Sequence, residues 1–314
     1  MRGRLKWFPA RGDHLGWGAA LAFAAVLSWY LLFLVMGDAQ RLGYINAFGF
    51  WLGLLALAAA AILVWRRAFP LALAGFCLGL LILSHGVAVP LARLAGGGEA
   101  RRFRVVTASL RNYNNDMDAA AALLAGHKPD ILIVQEADTD RFLGALQQAS
   151  GQHWNVARRN NELILCRCAV SDVRQDGYIL SAQLALGSLS LRVWNVRAPK
   201  SYSDVVKNRL YFTALASQMR EGGRGIAAGD FNATPWNEGY RIVARVARDS
   251  WRAAGWGPGF TFPTRARRMG LIAPLIRIDQ VFATPGLVAV HAETGAASAG
   301  ADHLPVIVDF AVPE

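Results

Sequence analysis

Three stretches without a charged residue, 15–36, 43–65 and 70–92, fall within the first hundred residues of this 314-residue chain. Each holds at least about 20 residues, and a helix rising about 1.5 Å per residue covers the roughly 30 Å hydrocarbon core of a bilayer over that length. The reading is three transmembrane helices, because the first stretch outlasts the apolar region of a signal peptide and two more follow at once. Charge divides the chain at the same place: residues 1–100 carry 8 Lys/Arg and 3 Asp/Glu, the remainder 25 and 19. The expected organisation is a membrane domain over 1–95, a linker over 96–101 marked by Gly96, Gly97 and Gly98, and a water-facing domain over 102–314.

Basic flanks set the orientation, since Lys and Arg stay on the cytoplasmic side. Arg2, Arg4, Lys6 and Arg11 precede the first stretch and Arg66 and Arg67 join the second to the third, whereas only Arg41 lies between the first and second. The N-terminus is expected inside and everything after Ala95 outside, which in a bacterium means a multi-pass inner-membrane protein with a periplasmic domain. His85, in the third stretch, is read as a packing residue. Both parts are basic, with a net charge of +11 in all, which draws the chain to phosphate-rich partners without choosing among nucleic acid, anionic lipid headgroups and phosphorylated metabolites. Three cysteines exclude a disulfide-stapled small fold. Cys166 and Cys168 should share a strand face too far apart to bridge comfortably, so neither an intramolecular disulfide nor a zinc site is expected.

From Arg102 onward short β-branched runs alternate with helical segments. Strands are expected at 103–110, 131–135, 163–170, 189–196, 226–228, 276–283 and 306–310, and helices near 116–126, 139–149, 203–220 and 236–246. Single strands, helices and hairpin-like strand pairs together point to an α/β fold of layered sheets with helices outside. Polar residues collect at the strand ends: Gln135-Glu136, Gly229-Asp230-Phe231-Asn232, Asp279, and Asp302-His303 before the last strand. Each has an ordinary reading alone, as a helix cap, a turn, a solvent-facing strand residue or a surface pair. Together they offer carboxylates, an amide and an imidazole on a rigid frame. Walker-type Gly-rich loops, His-Glu-x-x-His and Gly-x-Ser-x-Gly are all absent, which removes support for P-loop, zincin and serine-hydrolase chemistry.

In order and spacing, Gln135-Glu136, Gly229-Asp230-Phe231-Asn232, Ile278-Asp279-Gln280-Val281-Phe282 and Ala301-Asp302-His303-Leu304-Pro305 resemble the endonuclease/exonuclease/phosphatase superfamily, which includes DNase I, abasic-site endonucleases, neutral sphingomyelinases and inositol polyphosphate phosphatases. The resemblance covers residues 102–312. It implies a four-layer α/β sandwich (DNase I-like) and hydrolysis of a phosphodiester or phosphomonoester by metal-assisted water attack. By resemblance Glu136 and Asp302 hold Mg²⁺ or Mn²⁺, Asp230 orients or deprotonates the water, Asn232 donates to a phosphoryl oxygen, and His303, held and charged by Asp279, stabilises the phosphoryl group. A hard divalent cation suits such a site because it takes oxygen ligands and keeps several waters.

Two positions depart from the family. Its usual first-strand Asn is Ser109 here, whose hydroxyl is left to touch a metal-bound water, with Asn112, Asn114 and Asn115 close behind. Where many relatives carry a catalytic His, this chain has Arg197, which cannot serve as a general acid at neutral pH but binds phosphate oxygens well. Lys200, Lys207, Arg209 and the Arg265, Arg267 and Arg268 cluster are further basic candidates, and Phe260 and Phe262 are read first as core. The expectation is a membrane-anchored phosphoesterase acting on a phospholipid headgroup or nucleic acid, with a catalytically weakened phosphate-binding module of the same fold as the alternative. Besides substrate and bilayer, the sequence specifies no protein partner.

Overall fold

The computed structural model describes residues 7–89, 101–201, 203–266 and 273–312. Residues 96–100 of the expected 96–101 linker, together with Arg2, Arg4, Lys6, Arg267 and Arg268, lie outside the described residues, and Arg101 already stands in the first strand.

The N-terminal part is a helical bundle. Helix α1 (His14–Met36) is capped by Asp13, whose side chain accepts from the Gly16 N–H at 3.0 Å. After a 3₁₀ turn and the short α2 (Leu42–Asn46), α3 (Gly49–Trp65) and α4 (Phe69–Ser84) form an antiparallel hairpin against α1. Small residues face inward, among them Ala19, Gly53, Ala56, Ala59, Ala60, Ala72, Gly75 and Gly79, while Leu21, Leu31, Leu34, Val35, Leu55, Leu73, Phe76, Leu80 and Leu81 point out. A Cβ on Gly79 would lie 2.6 Å from the Leu57 side chain and 3.0 Å from the Gly53 carbonyl, so only glycine permits this approach. His85, capping α4, sits 3.2 Å from the Tyr30 hydroxyl and edge-on to Phe33.

Only α1 is long and apolar enough among the described residues to cross a membrane by itself. The expectation of three spanning helices is thus not supported. Helices α3 and α4 have 17 and 16 residues, fewer than the uncharged stretches, because residues 43–48 form α2 and a turn, and 85–89 leave α4 to form a bridge between Ala88 and Gly257.

Two mixed six-stranded sheets follow, packed face to face. The first has the order β11-β12-β1-β2-β4-β3, with β1 (Arg101–Ser109), β2 (Ile131–Gln135), β3 (Asn155–Arg159), β4 (Glu162–Cys166), β11 (Val288–Thr294) and β12 (Val306–Val312). The second runs β5-β6-β7-β8-β10-β9, with β5 (Ala169–Asp176), β6 (Ile179–Leu186), β7 (Leu189–Arg197), β8 (Gly225–Asp230), β9 (Arg248–Asp249) and β10 (Asp279–Ala283). Helices α5 (Met117–Gly126) and α6 (Thr139–Ser150) cover the first sheet, and α7 (Val205–Glu221) and α8 (Glu238–Ala244) the second; a short α9 (Ser250–Ala254) follows β9. Helix–sheet–sheet–helix layering explains the continuous apolar runs. In β2, Ile131 and Ile133 enter the core between the sheets while Leu132 and Val134 meet the α5 and α6 side, so both faces are buried.

The run 163–170, expected as one strand, is two. The chain leaves the first sheet after Cys166 and enters the second at Ala169, and the bend brings the Cys166 and Cys168 Cα atoms to 5.0 Å, closer than the roughly 6.6 Å of an extended strand. A Cys166–Cys168 disulfide forms there, contrary to expectation.

The bundle docks on the second sheet's helical face through Asp38. Its Oδ1 accepts from Asn46 Nδ2 at 2.8 Å and Asn237 Nδ2 at 3.0 Å, and its Oδ2 accepts from the Glu238 N–H at 2.8 Å, capping α8 from another part of the chain. Trp236 Nε1 donates to the Ile82 carbonyl at 3.0 Å and Trp51 Nε1 to the Leu275 carbonyl at 2.9 Å. Removing a partner from a buried donor costs about 1–3 kcal/mol per orphaned group. Asp38→Ala is therefore expected to lower the thermal midpoint of the detergent-solubilised chain by at least several degrees; an unchanged midpoint would show that this network does not hold the bundle in place.

Candidate active site

The register of the second sheet lines up its functional residues. Arg197 on β7 pairs with Asp230 on β8, and Asp230 pairs with Asp279 on β10, so three adjacent strands place these side chains in one row at their ends. Gly229 precedes Asp230 with φ +139°, and a Cβ there would lie 2.1 Å from the Val196 carbonyl and 2.7 Å from Gln135 Nε2. The Val196 carbonyl and the Gln135 side chain cause this crowding. Gln135 and Asn195 form a pair of buried amides. They cross between the sheets, Gln135 Nε2 donating to Asn195 Oδ1 at 2.8 Å and Asn195 Nδ2 to the Val134 and Leu163 carbonyls at 2.8 and 2.9 Å.

A cavity of about 610 Å³ opens over this row. Glu136, Arg197, Asp230, Asn232, Asp302 and His303 all line it. Glu136 enters it from β2 in a left-handed conformation, φ +56°, a strained state for a non-glycine residue held by its surroundings. Asp279 lies beneath, 1% exposed, with Oδ2 2.8 Å from His303 Nδ1. Asp302 Oδ1 is 3.9 Å from the other ring nitrogen, and the Phe262 ring lies against the imidazole at 4.8 Å between centroids. Burial alone would lower the His303 pKa, but the surrounding carboxylates, Asp279 foremost, outweigh it and raise it to about 9. Those carboxylates favour the charged form of the ring.

Asp230 is fixed from its own loop. Oδ1 accepts from the Asn232 N–H at 2.8 Å and Oδ2 from Asn232 Nδ2 at 2.9 Å. Burial, with Asp279 and Glu136 adding negative charge, pushes its pKa up to about 7 against the opposing pull of His303. Such a carboxyl is poised to exchange a proton near neutrality.

Three expected roles change with the geometry. Asn232 also donates to the Ala198 carbonyl at 3.0 Å, so its amide hydrogens serve Asp230 and the backbone instead of a phosphoryl oxygen. The Arg197 guanidinium is drawn onto Glu136, with Nε and Nη2 3.2 and 2.9 Å from Oε1. Ser109 ends β1 beside Gln135 but is buried and does not line the cavity, and neither do Asn112, Asn114 and Asn115. Among the basic candidates Lys200 and Lys207 border the cavity, whereas Arg209 pairs with Glu238 at 2.9 Å and Arg265 is exposed outside it.

The structure adds Arg159, Glu162 and Tyr178 to the cavity wall. Arg159 and Glu162 flank the Asn160-Asn161 hairpin turn, and burial raises the Glu162 pKa to about 7 despite Arg159 at 3.6 Å. The only sequence signal for them is the Asn-Asn turn.

The donor set suits a hard divalent cation. Glu136 and Asp302 bring carboxylate oxygens into one cavity, near enough to Asp230 for Glu136 to raise its pKa. A second acidic group, Asp230, Asp279 and His303, has ligand atoms within 4.8 Å of one another, and the buried Asp279 Oδ1 has no hydrogen-bond partner. With His303 charged and already bonded to Asp279, that group reads as a proton-handling triad. Glu136 and Asp302 both line the cavity, whereas Ser109 does not.

Residues 94–303 match the Endonuclease/Exonuclease/phosphatase family. Among solved structures, an endonuclease/exonuclease/phosphatase from Bacteroides vulgatus superposes with a TM-score of 0.56 at 18% identity, covering 68% of this chain and all of that one. The 3'-5' exonuclease NExo of Neisseria meningitidis gives 0.54 at 21%, covering 66% and 99%, and truncated Caenorhabditis elegans TDP2 gives 0.53 at 18%, covering 67% and 98%. No curated protein sequence matches the chain. The two-sheet sandwich is the DNase I-like fold, and the chain belongs to the endonuclease/exonuclease/phosphatase family.

Proposed function

We propose that the chain is a membrane-anchored, divalent-metal-dependent phosphoesterase that hydrolyses its substrate by direct attack of water. The observation that carries the catalytic part is the Asp230–Asp279–His303 row beneath a cavity with a basic wall. A cation held by Glu136 and Asp302 would offset the charge of the phosphate ester and favour an ionised water. Asp230, oriented by Asn232, takes the water's proton. His303, kept charged by Asp279, donates to the phosphoryl oxygens as negative charge builds on them. Arg197 spans Glu136 and the cavity, so its fixed charge reaches the phosphate from the remaining side. No covalent enzyme intermediate is required.

The anchoring part rests on the bundle's packing. Small residues line the contact of α3 with α4, larger ones such as Phe33, Leu63 and Ile82 fill the rest of the bundle core, and many large apolar side chains cover the outside, which leaves a large exposed apolar surface in water. Trp7, Trp17 and Trp65 are exposed at one end, with Arg66 and Arg67 beside Trp65, and Tyr44, Trp51 and Trp256 at the other, matching the aromatic belts of membrane interfaces. The catalytic domain then lies on the side opposite the N-terminus, the extracytoplasmic side.

The full chain, purified in detergent, is expected to hydrolyse bis(p-nitrophenyl) phosphate with Mg²⁺ or Mn²⁺ and to lose activity to a chelator. Asp230→Asn and His303→Ala should each lower kcat by about 10²–10⁴; undiminished turnover in both would place the chemistry elsewhere. A chain that binds phosphate yet shows no metal-dependent turnover is the weakened binding module instead.

The pH profile of kcat/KM should be bell-shaped. Activity rises through about pH 7 as Asp230 becomes a base and falls through about pH 9 as His303 loses its proton; a flat profile from pH 6 to 10 contradicts these roles.

Arg197→Met frees Glu136 Oε1 from a guanidinium 2.9 Å away. Calorimetry is expected to show Mn²⁺ binding at least several-fold more tightly to this variant, while kcat falls. Weaker Mn²⁺ binding would mean that Arg197 supports the ion site instead of competing with it.

A further inference from the structure

The active-site cavity is lined by two unlike sets of residues, a basic set of Arg159, Arg197, Lys200 and Lys207 and an apolar set of Ala47, Phe262, Ile276 and Ile278. The apolar set is built where the bundle meets the catalytic domain. Ala47 lies in the turn between α2 and α3, and Ile276 follows Leu275, whose carbonyl accepts from Trp51. Phe260, two residues before Phe262, stacks on Trp51 at 5.8 Å and meets Phe50 edge-on at 5.0 Å.

Position along the bundle gives this set its meaning. Ala47 is four residues from Trp51, about 6 Å at 1.5 Å per residue, and Trp51, Tyr44 and Ile45 are exposed at that level. With the bundle in a bilayer, these side chains mark the lipid–water interface, and the cavity stands at the headgroup layer. We infer that the substrate is a phosphodiester borne by a membrane lipid, its headgroup phosphate taken by the basic set and its glycerol and upper acyl carbons lying along Ala47, Phe262, Ile276 and Ile278.

A nucleic acid fits the same cavity less well. A single strand carries a phosphate on every nucleotide and is followed by an extended positively charged groove; here the cations share one cavity with the apolar side chains of Ala47, Phe262, Ile276 and Ile278. A lipid diester has one anionic phosphate beside an apolar body, which is the pairing the two sets offer. In the reaction the water oxygen forms a new P–O bond and one ester P–O bond breaks. The water's proton passes to Asp230, which returns it to solvent, and the departing oxygen takes up a proton from solvent water to leave as an alcohol.

This inference rests on the membrane-anchored phosphoesterase reading, and substrate comparison separates the two. The full chain is reconstituted in vesicles of phosphatidylethanolamine and phosphatidylglycerol with Mn²⁺, and release of headgroup or diacylglycerol is followed. The same preparation is assayed on the two deacylated headgroup diesters, glycerophosphoethanolamine and glycerophosphoglycerol, and on a single-stranded oligonucleotide. The lipid diesters are expected to react with kcat/KM at least tenfold above every soluble substrate. Ala47→Asp should reduce lipid turnover at least tenfold more than turnover of bis(p-nitrophenyl) phosphate. Deacylated diesters or oligonucleotide hydrolysed as well as the lipids would overturn the inference while leaving the phosphoesterase standing; cleavage of none of them, nor of bis(p-nitrophenyl) phosphate, would overturn both.

Discussion

The polar staple between the two sheets fixes everything downstream of it. Gln135 and Asn195 are fully buried and meet at 2.8 Å in an otherwise apolar core, with Asn195 also satisfying the Val134 and Leu163 carbonyls. Buried amides are costly unless paired, so one relative placement of the sheets is favoured over any slide that separates them. Glu136 follows Gln135 directly and Arg197 lies two residues beyond Asn195, so both reach the cavity from the staple itself. Gly229, which precedes Asp230, is confined by the Val196 carbonyl and by the same Gln135 amide.

The site built on this frame is electrostatically divided. His303 gains charge from a buried carboxylate, and Asp230 is pushed the other way by burial and like-charged neighbours. Two titrating groups held apart in this manner serve as base and cation at the same pH. The Arg197–Glu136 pair sets a permanent cation against one of the cavity's carboxylates. Asp38 extends the order outward, since Asn237, which it holds, also accepts from Thr234 in the loop that carries Asp230 and Asn232.

Much of this is readable in the amino-acid order where burial is two-sided. The runs at β2 and β8 are continuous because each packs against both a sheet and a helix, and their polar ends stand out for the same reason. The edge strands β3 and β5 are exposed and polar, so β3 carries no comparable signal and β5 merges with the buried β4 into one apparent strand. The Cys166–Cys168 bridge is hidden by that merger. Ion pairing of Arg197 with Glu136, and the turning inward of the Asn232 amide, depend on contacts between strands distant in sequence and have no local signature. Uncharged length overstated the spanning helices because α2 and the Ala88 bridge are apolar too, being packed against the catalytic domain.

The central claim is that carboxylates from separate strands gather a cation over the Asp230–His303 pair. The most direct test is an anomalous diffraction map of crystals of the full chain soaked with Mn²⁺. The account predicts a peak in the cavity with Glu136 and Asp302 oxygens at about 2.0–2.2 Å. A cavity without a peak, or an ion bound only by Asp279 and His303, would contradict it.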